Sequence, residues 1–271
     1  MFKISLYVSD KVFRKKKIEI FFDNIYYKKL NDKWVIEVFS KNLIFDRRLI
    51  TNFLKIKINR IERVENKNWA YLSNKISEEI KINNFKISQK KNFFSYDHVF
   101  IPASTAFGTG SHPSTYLSII NLNNVLKKNK THKYTYLDLG TGTGVLGFII
   151  NKISKRRIVM TDLDLEAEKC VKRNAKLNFI NNFRFYKCEG FMNPYFLGKK
   201  YNLIVSNIFS IPLKKLAKEF RRHLYHNGTL VISGITKCQK NDIINLYSKF
   251  NLKLVKSIYI ENWISIIFKK V

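Results

Sequence analysis

Hydrophobic positions in the second half of the chain follow two periods that alternate along the sequence. Short apolar runs typical of buried strands occur at residues 134–140, 157–162, 183–188, 201–207 and 229–234. Segments with helical spacing lie between or after them, at residues 145–154, 165–178, 212–223 and 239–250. Strands that alternate with helices form a parallel sheet covered on both faces. The pattern therefore predicts an α/β fold.

The last two β-rich runs predict a different ending for this sheet. Leu252–Ile260 and Trp263–Phe268 are separated only by Glu261-Asn262. So short a connection joins antiparallel neighbours, because parallel strands need a long crossover. We expect the sheet to end in an antiparallel hairpin.

The first 63 residues have another pattern, which predicts a small α+β domain. Residues 2–8 alternate between apolar and polar, residues 26–41 resemble two strands joined at Asn31-Asp32, and residues 56–64 alternate again. These runs predict four strands.

Two short helices complete an order of β-α-β-β-α-β. The first has to fit within residues 10–20, and the second is predicted to start at Asp46, whose carboxylate can cap it, and to run to Leu54. Apolar residues at helical spacing within residues 65–90 predict a linker helix. The predicted organisation is a domain at 1–63, a linker with a helix at 64–94 and a second domain at 95–271.

Composition excludes several classes of protein. Hydrophobic residues make up 45% of the chain and charged residues 26%, which is typical of a soluble globular protein and not of a disordered or collagen-like one. The three cysteines, Cys170, Cys188 and Cys238, are far apart and form no metal-binding or disulfide pattern. No apolar run is long enough to span a bilayer, and no signal-peptide core follows the start. We expect a monomeric, cytoplasmic protein without a metal site.

The charge is unusual, and two explanations for it remain open. Fifty Lys and Arg against twenty Asp and Glu give a net charge of +30, with +12 in residues 1–95 and +18 in the rest. A basic protein attracts polyanions such as RNA. However, the 39 Lys and 28 Asn are also what A/T-rich codons specify. Under either explanation we expect a weak, salt-sensitive contact with RNA.

A glycine-rich turn is the first candidate binding site. Gly140, Gly142 and Gly144 follow a predicted strand and precede a predicted helix, where glycines let a ligand approach the backbone. Gly142, Gly144 and Gly147 also match the dinucleotide fingerprint. Asp162, at the end of the next strand, can bind the ribose hydroxyls of a nucleoside under either match.

Three features favour S-adenosylmethionine over a dinucleotide. Asp138, two residues before the first glycine, is unfavourable beside a phosphate but suits a cationic ligand. The closing antiparallel hairpin is foreign to the simple dinucleotide fold. Asn207 ends the fourth predicted strand, at the edge where open α/β sheets bind ligands. We expect the glycine turn to face the methionyl part of this cofactor and Asp162 its ribose.

A dense motif lies upstream, between residues 106 and 115. Its sequence is Ala-Phe-Gly-Thr-Gly-Ser-His-Pro-Ser-Thr, which predicts a loop that leads into a helix starting near Ser114 or Thr115. His112 fits a hydrogen-bonded loop histidine better than a catalytic base. We assign no general base.

These motifs resemble those of the PrmA family, whose members methylate large-subunit ribosomal protein L11. The similarity rests on the stretches 107–115, 137–146, 161–164, 206–208, 230–235 and 261–263 and extends over residues 62–271. It implies a class I methyltransferase domain with a Rossmann-like sheet and a ferredoxin-like N-terminal domain that recognises the ribosomal protein. It also implies cofactor contacts at Thr115, Gly140, Asp162 and Asn207, to which the glycine turn adds Gly142.

By this resemblance, the expected activity is methyl transfer from S-adenosylmethionine to lysine side chains or the N-terminus of ribosomal protein L11, free or on the large subunit. Asn207 is our candidate for contact with both the cofactor and the incoming amine. The alternatives are a methyltransferase for RNA or for another protein such as a release factor, and a ribosome-binding protein whose enzyme fold has decayed. The Asn-Pro-Pro-aromatic motif of base-amine and release-factor methylases is absent, because Ile208-Phe209-Ser210 follows Asn207. A dehydrogenase is the least favoured class.

Overall fold

The computed structural model describes residues 2–16, 25–31, 33–40, 43–63, 80–82, 84–88, 97–102, 108, 110, 112–128 and 134–271. The chain divides into two compact units, residues 1–72 and residues 73–271. Within the described residues, no helix has the length and apolar character needed to cross a membrane.

The first unit is a four-stranded antiparallel sheet with two short helices. Its elements are β1 (Phe2–Ser9), α1 (Asp10–Lys16), β2 (Ile25–Leu30), β3 (Lys33–Ser40), α2 (Leu43–Arg48, extended by a π-helical turn at Leu49–Phe53) and β4 (Arg60–Arg63). The strand order is β2-β3-β1-β4, and every neighbouring pair is antiparallel.

Alternation along β1 builds the core of this unit. Ile4, Leu6 and Val8 are buried and pack in one cluster with residues of β3, of α1 and of the segment around α2. The Phe13 ring of α1 stacks on Trp34 of β3 with centroids 4.1 Å apart, and the Trp34 indole N–H donates to Asp10.

Two predictions for this unit are wrong in detail. The second helix begins at Leu43 and not at Asp46, because Leu43 packs against the core and starts the helix earlier. Asp46 therefore lies in the first turn, where its carboxylate interacts favourably with the helix dipole instead of capping the helix. The last strand covers only Arg60–Arg63 of the predicted 56–64.

The second unit is built on a seven-stranded sheet. Its elements are β5 (Ile80–Ile82), β6 (Phe85–Ser88), β7 (His98–Phe100), α3 (Pro113–Lys128), β8 (Tyr136–Leu139), α4 (Val145–Ser154), β9 (Ile158–Asp162), α5 (Leu165–Leu177), β10 (Phe183–Lys187), β11 (Tyr201–Asn207), α6 (Ser210–His223), β12 (Leu224–Thr236), α7 (Lys240–Ser248), β13 (Leu252–Ile260) and β14 (Trp263–Lys270). The sheet has the order β10-β9-β8-β11-β12-β14-β13.

The predicted α/β fold is confirmed by this sheet. Its first five strands in that order run parallel, and β14 lies antiparallel between β12 and β13. The chain runs outward from β8 to β9 and β10, then returns to β11 on the other side of β8. Ligands of open α/β sheets bind at such a reversal, outside the carboxyl ends of the strands.

A three-stranded sheet, β5-β6-β7, accompanies the large one and corrects the predicted linker. Residues 80–88 were expected in a linker with a helix, but they form β5 and β6. The physical reason is that Ile80, Ile82, Phe85 and Ile87 face the same core as α3 and α4, which requires the alternation of a strand and not helical spacing. The residues that suggested the helix, 69–76, lie outside the described residues.

Candidate functional site

The turn between β8 and α4 is formed by glycines in the left-handed region. Gly140, Gly142 and Gly144 have φ of +73°, +55° and +89°. The N–H groups of Gly140 and Thr141 both donate to the Thr161 carbonyl of β9, at 2.8 and 2.9 Å. A Cβ atom on Gly140 would lie 2.3 Å from Cγ2 of Ile208. Glycine is therefore required at this position by both backbone conformation and space.

Asp162 fixes the middle of this turn from the neighbouring strand. The Gly142 N–H donates to its Oδ2 at 2.9 Å, and the Asp164 N–H donates to its Oδ1 at 3.1 Å. The side chain is half-buried at the carboxyl end of β9. Because each carboxylate oxygen can accept two hydrogen bonds, Asp162 retains acceptor capacity for a ligand hydroxyl.

The sequence suggested that Asp138 lies beside a cationic ligand, but it lies beneath the turn. Its carboxyl group is fully buried, and its Oδ2 accepts from the Thr141 hydroxyl at 2.5 Å and from the Gly147 N–H at 2.8 Å. Its Oδ1 has no partner among the described residues. Burial raises the pKa of Asp138 to about 7 against these two hydrogen bonds, and the charge of Asp162 adds to the rise. Asp138 thus supports the turn from inside.

Thr115 and Asn207 form a second part of the site. The Asn207 side-chain amide donates to the Thr115 hydroxyl at 3.2 Å, which joins the last residue of β11 to the first turn of α3. Asn207 is only 8% exposed, and its Oδ1 is buried with no partner among the described residues. Gly234 leaves space for this atom, since a Cβ there would lie 3.1 Å from it. A buried acceptor without a donor is costly, so it marks a position where a ligand can donate.

His112 is held by its neighbours in the loop, as its sequence context favoured. Its Nδ1 lies 2.7 Å from the Ser114 hydroxyl and accepts from the Ser114 N–H at 3.2 Å. Its ring meets Trp263 of β14 edge to face, with centroids 4.5 Å apart. Burial lowers the pKa of His112 to about 4, so the imidazole is neutral near pH 7.

Several supporting residues were not predicted. The Thr143 hydroxyl donates to the Gly108 carbonyl at 2.6 Å and ties the 106–115 motif to the glycine turn. The Asn174 amide of α5 donates to the Thr143 carbonyl at 3.0 Å, and Asn174 is fully buried. The sequence held a signal for Asn174, because helical spacing puts this polar residue on the same face of α5 as Ala167 and Val171. A buried amide needs a partner, and Thr143 provides it.

The structure brings the predicted residues together in two groups. Gly140, Gly142 and Asp162 are joined by direct hydrogen bonds around the turn, and Thr115 and Asn207 are joined to each other. Ile208, which follows Asn207, covers Gly140 and brings the groups into contact. Phe107, Thr109 and Ser111 of the upstream motif lie outside the described residues.

Three features define a class I methyltransferase fold in this unit. The parallel sheet has one antiparallel strand inserted near its edge, a glycine turn follows β8, and a carboxylate lies at the end of β9. The crystal structure of the ribosomal protein L11 methylase from Lactobacillus delbrueckii subsp. bulgaricus shares this fold. The two superpose with a TM-score of 0.62 and 22% identity, over 71% of this chain and 99% of that one.

Sequence comparison identifies the family. The family described as ribosomal protein L11 methyltransferase (PrmA) matches residues 9–271, and the chain belongs to it. The ribosomal protein L11 methyltransferase of Mesorhizobium japonicum is 35% identical over 172 residues, which are 62% of this chain and 58% of the relative. That of Prochlorococcus marinus strain AS9601 is 31% identical over 189 residues, or 68% of this chain and 60% of the relative. The chain spans about three fifths of the length of these curated relatives.

We predict that Gly140→Ala destabilises the protein more than Gly198→Ala, a matched control. Both glycines have similar φ, +73° and +69°, but no atom lies within 4 Å of a Cβ on Gly198. The control should therefore cost only about 1–2 kcal/mol, the left-handed penalty. Gly140→Ala should cost roughly 1–3 kcal/mol more, from the clash with Ile208. Urea unfolding measures both, and adding Ile208→Ala should reduce only the Gly140→Ala cost. Equal costs for the two alanines would contradict the steric role of Ile208.

A second prediction concerns pH. Folding raises the pKa of Asp138, so this carboxyl group holds its proton to a higher pH in the folded state than in the unfolded state. Ionisation of Asp138 therefore lowers the stability of the folded protein. The free energy of unfolding of the wild type, minus that of Asp138→Asn, should fall as pH rises from about 4 to about 7, by up to roughly 4 kcal/mol, and then level off. His112 contributes in the opposite direction below its normal pKa, but it is present in both proteins and cancels. A difference that stays constant over this range would show that burial does not raise the pKa of Asp138.

Proposed function

We propose that this protein is an S-adenosylmethionine-dependent methyltransferase that modifies amino groups of ribosomal protein L11. Family membership and the names of the curated relatives support the reaction and the substrate. The single observation that carries the proposal is the unpartnered Oδ1 of Asn207, buried at the carboxyl end of β11 beside Thr115. It offers a fixed acceptor at the edge of the sheet where both substrates of such an enzyme meet.

The residues around the glycine turn fit this cofactor. Gly140 and Gly142 have no side chain to obstruct its methionyl part, and the free acceptor capacity of Asp162 suits two ribose hydroxyls. Thr115 lies in the first turn of α3 and orients Asn207 through its hydroxyl. When bound, the cofactor supplies a methyl group made electrophilic by a sulfonium centre.

The chain's own task is to present a neutral amine to that methyl group. A lysine amine has a pKa near 10.4 in water, so it must lose a proton before it can attack. Burial of the ammonium disfavours the charged form and lowers this pKa. Asn207 Oδ1 then accepts an N–H of the amine and orients its lone pair, while the Asn207 amide stays on Thr115. Alignment of the two reactants can supply most of the acceleration.

We assign no general base. Nδ1 of His112 is already engaged with Ser114, and Asp138 is buried beneath the glycine turn. In this proposal the substrate's proton leaves to solvent as the ammonium is buried in the site.

The first unit is proposed to be a ferredoxin-like domain that recognises the ribosomal protein. The β-α-β-β-α-β order of its elements and the antiparallel strand order β2-β3-β1-β4 support this assignment. We further propose that the protein acts as a cytoplasmic monomer, in keeping with its three free cysteines.

We predict that Asp162→Ala abolishes cofactor binding without unfolding the chain, because it removes the acceptor for the ribose and the anchor of Gly142. Asp164→Ala is the matched control. Asp164 is exposed and caps α5 by accepting from the Glu166 N–H, so its loss should cost about 1 kcal/mol of stability and leave binding unchanged. Calorimetric titration with S-adenosylmethionine, with circular dichroism as a check of folding, compares the three proteins. Wild-type affinity in Asp162→Ala would show that Asp162 does not bind the ribose.

Asn207→Ala should separate chemistry from binding. An amide oxygen has two acceptor positions, so Asn207 Oδ1 can accept from the cofactor as well as from the amine. Loss of that one hydrogen bond to the cofactor should weaken its affinity by about tenfold or less. Loss of the acceptor that orients the amine should lower the rate of methyl transfer by a larger factor, about 100-fold. Single-turnover transfer of labelled methyl groups to unmethylated ribosomal protein L11 measures the rate at saturating cofactor. If the rate falls by no larger a factor than the cofactor affinity does, Asn207 binds the cofactor but does not orient the amine.

A further inference from the structure

Three cations from different elements converge at the end of the sheet opposite the candidate site. Lys200 precedes β11, Arg221 lies in the last turn of α6, and Lys270 ends β14. Lys270 is 7% exposed, and its ammonium donates to the Leu224 carbonyl at the start of β12, at 2.6 Å. Lys200 is next to Tyr201, which pairs with Leu224, and the preceding Lys199 carbonyl lies 2.8 Å from Nδ1 of His223, so the loop before β11, the end of α6 and the end of β14 meet around Leu224. Burial lowers the pKa of Lys270, and the charges of Arg221 and Lys200 lower it further.

This cluster lacks a compensating negative charge. No carboxylate of the described residues lies within ion-pair distance of Lys200, Arg221 or Lys270, whereas the adjacent Arg222 has Glu219 at 4.0 Å. The dipole of α6 favours a cation in its last turn, but it explains only Arg221. Lys200 and Lys270 come from a loop and a strand, so the dipole does not account for them, and a bound anion would reduce the repulsion among the three cations.

The surface beside the cluster carries an exposed aromatic ring. Tyr201 pairs with Leu224, but Leu203 pairs with Thr229, so residues 225–228 bulge out of the sheet next to the cluster. Tyr225 in this bulge is 44% exposed. Cations that neutralise phosphates, interleaved with an aromatic ring on which a base can stack, are the features of a site for single-stranded nucleic acid.

The cluster is far from the proposed methyl-transfer chemistry. It lies at the amino end of β11, whereas Asn207 is the last residue of the same strand. At a rise of about 3.3 Å per residue, the two ends are roughly 20 Å apart. A polyanion bound at the cluster therefore leaves the carboxyl edge of the sheet open.

We propose that Lys200, Arg221 and Tyr225 form a binding site for the phosphate backbone of single-stranded RNA, to which the buried Lys270 adds positive charge without contacting the RNA. RNA fits better than an acidic protein or a lone anion, because the cations span three elements, an aromatic ring flanks them, and the whole chain carries a net charge of +30. This site goes beyond the proposed methyl transfer and does not depend on it.

The test compares two double variants of the full chain that lose the same charge. Lys200→Gln with Arg221→Gln removes two cations of the cluster, and Lys176→Gln with Arg184→Gln removes two exposed cations on α5 and β10 as the matched control. Binding of a fluorescein-labelled single-stranded RNA of roughly 16 nucleotides is followed by anisotropy over a range of salt concentrations. Circular dichroism and urea unfolding verify that each variant remains folded.

The cluster variant should bind this RNA at least about tenfold more weakly than the wild type. The slope of log affinity against log salt should decrease by about 1.4, or about 0.7 for each phosphate that is no longer neutralised. The control should change affinity less than about threefold. Tyr225→Leu should weaken binding about fivefold, because the base no longer has a ring on which to stack.

Equal weakening in the two double variants would assign the binding to total charge and overturn the site. Binding of inorganic phosphate, but not of the RNA, to the wild type would replace it with a free-anion site and also overturn the proposal. Unchanged binding in the cluster variant has the same consequence. None of these outcomes depends on methyl transfer, so the two proposals fail separately.

Discussion

The candidate site depends on one backbone constraint, the sharp turn between β8 and α4. Three residues of this turn have φ in the left-handed region, where a side chain would be strained. Three side chains contact this turn: Asp138 accepts from Thr141, Asp162 accepts from Gly142, and Ile208 packs against Gly140.

The two carboxylates on the turn illustrate how burial divides similar residues into different roles. Asp138 is fully enclosed, and its hydrogen bonds go to the turn and to α4. Asp162 is half-buried and holds the turn with one oxygen while it retains acceptor capacity toward solvent. In the proposed enzyme, the first carboxylate keeps the turn rigid and the second contacts the cofactor. The sequence shows that both carboxylates are present, but it does not show how deeply each one is buried.

Much of the second unit could be predicted from the sequence because its elements have clear periods. The helix predicted at residues 165–178 is α5, whose buried face consists of Ala167, Cys170, Val171, Asn174 and Ala175, and β11 has the predicted limits. The strands at residues 80–88 were missed because the helical spacing at residues 69–76 was extended over the whole polar stretch, and runs as short as three and four residues give little signal of their own. The start of α2 at Leu43 was missed because packing of that side chain outweighed the capping preference of Asp46.

The site was predictable in its members but not in its connections. Thr115, Gly140, Gly142, Asp162 and Asn207 belong to motifs that can be identified in the sequence. The hydrogen bonds from Thr143 to Gly108 and from Asn174 to Thr143 join residues 31 to 35 positions apart, and only the fold brings them together. The unpartnered oxygen of Asn207 is likewise a property of three-dimensional packing.

The central claim is that this protein transfers methyl groups to a ribosomal protein. The most direct measurement is to incubate it with methyl-labelled S-adenosylmethionine and unmethylated ribosomal proteins, both free and in ribosomes, and to locate the label after protease or nuclease treatment. We expect label on ribosomal protein L11 that protease removes and nuclease does not. Label that only nuclease removes would contradict the protein substrate, and no label despite measured cofactor binding would contradict the recognition of L11.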